Sequence, residues 1–95
     1  MKEEELFNHC KIAKYLSMKE LEVELNKKVI TLIRAERLIP TLEMAINLDN
    51  KEVFEESFLF LEKDNWNIFK KFNVEINILE IILKTHNERS EKNNN

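Results

Sequence analysis

The chain has no glycine, and among its 95 residues it has one proline, one cysteine and one tryptophan. Tight β-hairpins and phosphate-cradling loops need positive φ angles or close backbone approach, which glycine supplies, so a compact β-protein or a nucleotide-binding loop is not expected. Cys10 stands alone, so no internal disulfide forms and nothing points to an oxidising compartment. Long apolar runs are missing too: Phe58–Leu61 and Ile81–Leu83 are far too short to span a bilayer. The start, MKEEELFNHC, is acidic and lacks an apolar stretch, so no secretory signal and a cytoplasmic setting are expected.

What is present is helix-forming material. Hydrophobic residues make up 43% and charged residues 35% of the chain, the balance of one globular domain. The net charge of −3 is unevenly spread. Residues 1–40 hold eight Lys/Arg and seven Asp/Glu (+1), and residues 41–95 hold seven and eleven (−4). Capping patterns at Ser17–Glu20 and Asp49–Glu52, further caps at Asp64 and Asn73, and Pro40 near a helix start predict helices over 3–15, 18–37, 40–48, 50–63, 65–72 and 74–89. Residues 1–90 form the single domain, followed by a disordered polar tail over 91–95.

Val53, Phe54, Ser57, Phe58 and Leu61 fall on one helical face, which Leu59 and Phe60 widen. Ile76, Leu79, Ile82, Leu83 and His86 make a second stripe, with Ile78 and Ile81 beside it. His86, at the expected end of that helix, suits the negative pole of the helix dipole. Residues 74–78 also alternate as a strand does, and helix and strand both stay open there.

Catalytic and metal signatures are missing. His9 and Cys10 are neighbours, but successive residues on a helix do not face each other. Glu5 and His9 at i, i+4 lack the further ligands a metal needs. No catalytic residue, metal or cofactor is expected, and the chain reads as a non-enzyme. A basic stripe is present instead: on one continuous helix over 18–37, Lys27, Arg34 and Arg37 share an arc of roughly 80°, with Lys28 nearby.

Leu38-Ile39-Pro40-Thr41-Leu42 is similar to the segment that opens the second helix of an armadillo repeat. Asp49–Val53 resembles the turn into the third helix, and Phe58–Leu61 the core of that helix. An offset of 37 brings Leu42 onto Leu79, Ile39 onto Ile76 and Asn50 onto Asn87. The resemblance to armadillo and HEAT repeats covers residues 29–90. It implies a short right-handed helical stack; the alternative all-α fold, in which the self-match is chance, is a compact bundle of five to six helices. The second copy has Asn77 where the proline belongs. The family's peptide-gripping Trp and Asn fall near Leu59 and Lys63, which differ from it.

The expected function is non-enzymatic protein binding that inhibits or neutralises a partner, as an adaptor, an immunity or antitoxin protein or a phage-type inhibitor does. The candidate contact residues are Leu59, Phe60, Lys63 and Trp66. A homodimer through the apolar last helix is a further option. The alternative is DNA binding: Leu16–Leu21, Leu25-Asn26 and Leu32–Arg34 resemble a helix-turn-helix of the excisionase type. That resemblance implies Lys27, Lys28, Arg34 and Arg37 at phosphates. No membrane partner is expected.

Overall fold

The computed structural model describes residues 3–63 and 65–93. Six α-helices and one short 3-10 helix follow in order: α1 (Glu3–Tyr15), α2 (Lys19–Thr31), the 3-10 turn Ala35–Arg37, α3 (Leu38–Asn47), α4 (Lys51–Glu62), α5 (Ile68–Lys71) and α6 (Ile76–Asn93). The fold is an all-α bundle, with no strand among the described residues.

The central layer is the α3–α4 hairpin, because it contributes to both apolar clusters. Leu6, Cys10 and Ala13 of α1 and Leu25 and Val29 of α2 pack on Met44, Ala45 and Val53. Leu38, Ile39, Leu42, Phe58 and Leu61 pack on Ile68 of α5 and Ile78 and Ile82 of α6. The α4 pattern appears as the sequence predicts for Val53, Ser57, Phe58 and Leu61, which are buried, and Phe54, which is half-buried. Leu59 is the exception: the apolar run carries it around to the solvent face, where it is 39% exposed.

Two helix ends show how the chain turns without glycine. Ser17 (φ 55°) and Asp49 (φ 52°) both adopt the left-handed conformation. The Ser17 N–H donates to the Lys14 carbonyl at 3.2 Å and the Met18 N–H to the Ala13 carbonyl at 2.9 Å. Asp49 and Asn50 repeat the arrangement on Ile46 (3.2 Å) and Ala45 (2.8 Å). Both are Schellman motifs, in which glycine is the usual left-handed residue. Replacing Ser17 or Asp49 by Gly is therefore expected to stabilise the fold by about 0.5–1 kcal/mol each, the steric relief less the added freedom of the unfolded chain. Ser17 gains more, because Asp tolerates this conformation better. An upward shift of the urea midpoint at unchanged slope checks it.

This geometry corrects several expectations. Ser17 ends α1 and so does not cap α2; Met18 holds that position and makes no side-chain cap bond. Asn50, not Asp49, caps α4, accepting from the Val53 N–H at 3.2 Å. Asn73 lies before α6 in a segment without regular structure, and Asp64 lies outside the described residues. Pro40 sits in the first turn of α3, directly after the 3-10 turn, where its missing N–H has no partner to lose. The open choice at residues 74–78 resolves to helix from Ile76 onward. That helix continues through residues 91–93, which the sequence assigned to a polar tail.

The helix expected over 18–37 is two pieces. It ends at Thr31, and Arg34 is fully extended (φ −156°, ψ 167°) before the 3-10 turn begins. The offset of 37 superposes α3 on the first half of α6, but it also sets residues 31–34, where α2 ends, against α5.

Candidate functional site

The four residues predicted to form a contact face divide into two pairs. Leu59 and Lys63 are exposed, and their i, i+4 spacing puts them on one side of the end of α4. Phe60 and Trp66 are half-buried and pack against the second cluster. The Trp66 ring meets Phe58 edge-on at 6.3 Å, Phe69 at 5.9 Å and His86 edge-on at 4.9 Å. It is therefore a lid over the junction of α4, α5 and α6, held there by Asn65, whose amide donates to the Phe60 carbonyl at 2.7 Å.

The basic set is dispersed. Lys27 and Lys28 are exposed near the end of α2. Arg34 belongs to the extended linker, where its guanidinium pairs with Glu36 at 3.6 Å, and Arg37 belongs to the 3-10 turn. The stripe needed one helix over 18–37, so the break after Thr31 removes the common arc.

His9 is exposed and Cys10 is buried, so the two do not meet. Burial pushes the Cys10 thiol above its ordinary value, a hydrogen bond with its own backbone works the other way, and the nearby Glu22 charge adds to the rise. Cys10 is packed in the first apolar cluster, as a small core residue is. Among the described residues, no group of three or more His, Cys, Asp or Glu is placed to share a metal ion. No helix among them is long and apolar enough to cross a membrane.

Two polar constellations went unread in the sequence. Asn26 is buried on α2 and exchanges side-chain amide bonds with Asn50: 2.7 Å from the Asn50 amide to the Asn26 oxygen, and 3.3 Å in return. Its amide also donates to Glu52 at 3.3 Å. The helix cap of α4 is thus clamped to α2. On the other side, Arg89 of α6 reaches α4, donating to Glu62 at 3.0 Å and to Glu55. Its guanidinium carbon lies 4.7 Å from the Phe58 ring centroid. Arg89 falls seven residues after Ile82, which places it on the buried face of α6 and was the available signal. His86 shares that region in mid-helix rather than at a helix end, because α6 runs on to Asn93.

The exposed apolar side chains concentrate elsewhere. At the α1–α2 turn, Ile12 (52%), Tyr15 (86%), Leu16 (57%) and Met18 (46%) all face solvent. On α6 the predicted stripe is rotated: Ile78 and Ile82 go inward, and Ile76 and Leu83 stay exposed. Beside the α1–α2 turn lies a groove of about 480 Å³, lined in part by Lys14, Lys19, Glu22 and Asp49. No protein-family model, no curated protein and no solved structure matches this chain.

Proposed function

We propose that the protein is a non-enzymatic binding module that works by covering part of another protein, in the manner of an adaptor, an antitoxin or an inhibitor. The observation that carries this reading is the run of large apolar side chains left in water at the α1–α2 turn, in a chain small enough to need every apolar group in its core. Tyr and Met are residue types that gather at protein interfaces. The successive α1–α2 and α3–α4 pairs, with the resemblance around Pro40, support a reading in which the fold is a short repeat-like stack that presents its edges to a partner.

Capture of the tagged full chain from a lysate of its source cells, at low salt and with and without nuclease, tests the function. One protein retained at a stoichiometric level after nuclease is the expected result. Retention that vanishes with nuclease, and with charge reversal at Lys27 and Lys28, would move the function to nucleic-acid binding.

A further inference from the structure

The α1–α2 turn combines three features. Four apolar side chains project from it, as given above. Three lysines surround it, Lys11, Lys14 and Lys19, and all are exposed. Between Glu5 and Glu20 the chain carries no carboxylate. The neighbouring groove holds Glu22, Asp49 and Glu52, but none of these closes an ion pair to the lysines. A chain of net charge −3 thus carries, at one apolar end, three lysines with no ion pair among the described residues.

The turn is also held in place before any partner arrives. The Schellman motif at Ser17 fixes the backbone, and the Leu16 N–H closes onto the Ile12 carbonyl at 2.9 Å, which stacks Ile12 and Leu16 on one side. Ala13 and Cys10, on another face of α1, are buried and anchor the helix. Little backbone freedom remains to be lost on docking.

Resting on the binding-module reading, we infer that the α1–α2 turn is the docking surface and that its partner is a protein cleft with an apolar floor and a carboxylate rim. Tyr15, Leu16 and Met18 enter the cleft, and Lys11, Lys14 and Lys19 meet the rim. The apolar contacts supply affinity; the charges steer encounter and reject basic surfaces. A phosphate backbone would engage the lysines but leave Ile12, Leu16 and Met18 in water. An anionic membrane would meet the net negative charge of the rest of the chain.

The test places the photoreactive residue p-benzoylphenylalanine at Tyr15 and, separately, at Leu59 in the full-length chain expressed in its source cells. Adducts are digested and the joined peptides identified by mass spectrometry. The expected result is one protein joined through position 15, at a segment whose surroundings are apolar and rich in Asp and Glu. Combined reversal of Lys11, Lys14 and Lys19 to Glu, or Tyr15→Ala with Leu16→Ala, lowers capture about tenfold or more, and added salt weakens it. All these residues are exposed, and unchanged circular dichroism and urea midpoints establish that the variants fold. A partner joined through position 59 only, or one indifferent to the lysine reversal, keeps the binding module and overturns this surface. Joining of position 15 to lipid or to a second copy of the chain also overturns it. Absence of any adduct at both positions, with nothing retained in lysate capture, overturns the function itself.

Discussion

Phe58→Ala is expected to cost about 3–5 kcal/mol, the range for a fully buried aromatic truncated to a methyl group. A domain of this size holds roughly 5–15 kcal/mol in total, so the variant will be marginal at room temperature. The side chain is completely buried and sits where three elements meet. Phe54 approaches it at 5.8 Å within α4, Trp66 meets it edge-on, and Arg89 of α6 lies over its ring. Truncation therefore removes the contact surface for the α5–α6 side at one stroke. Neighbouring side chains cannot collapse into the space without moving the Trp66 lid. Phe58→Leu keeps most of the volume and should cost about half as much. Urea unfolding monitored by Trp66 fluorescence reads both. A loss below about 1.5 kcal/mol for the alanine variant would mean that the α4–α6 junction is looser than its geometry.

The same region shows what the sequence could and could not reveal. Phe58 was legible because Val53, Ser57, Phe58 and Leu61 repeat at helical spacing, and a strong period survives any error in boundaries. Pro40 was legible for a comparable reason, since a proline fits only a helix's first turn. The rotation of α6 was not legible. Its apolar residues Ile76, Ile78, Leu79, Ile81, Ile82 and Leu83 cover most of the circumference, so pattern alone leaves the inward direction undetermined. Arg89 went unread, although it shares a face with Ile82. The break after Thr31 was invisible because residues 32–37 contain no glycine or proline, and it dissolved the basic stripe. The two turns at Ser17 and Asp49 were misread as caps, because serine and aspartate commonly begin helices and here they end them.

The proposed contact face rests on exposure rather than on composition. Trp66 has the chemistry of an interface anchor; it is half-buried, and its ring packs on Phe58, Phe69 and His86. Tyr15 and Leu16 were not read as a contact face: Tyr15 ends the first helix, and Leu16 entered only the helix-turn-helix resemblance. The packing of Cys10 and Ala13 against α3 and α4 shows which face of α1 is buried and leaves Ile12, Tyr15 and Leu16 exposed.

Arg89→Ala should destabilise the protein by about 2 kcal/mol and loosen α6 before the rest. Glu55 is half exposed, so its pair with Arg89 contributes little; Glu62 and Arg89 are each about a quarter exposed, which strengthens that pair. The guanidinium over Phe58 adds roughly 0.5–2 kcal/mol. Removal also leaves Glu62 without its cation. The effect falls on α6 because that helix is joined to the bundle by few groups: Ile78 and Ile82 in the second cluster, His86 against Trp66, and Arg89 itself. Arg89→Lys keeps the charge but loses the planar fork that reaches two carboxylates while lying flat on a ring, so it should recover less than half of the loss. Hydrogen exchange separates the two parts of the prediction: amides of α6 should lose protection while those of α3 and α4 keep theirs, relative to the global change. If α6 kept full protection and the alanine variant stayed within about 0.5 kcal/mol of the parent, α6 would be held by its apolar face alone, and the clamp from α4 would be ornamental.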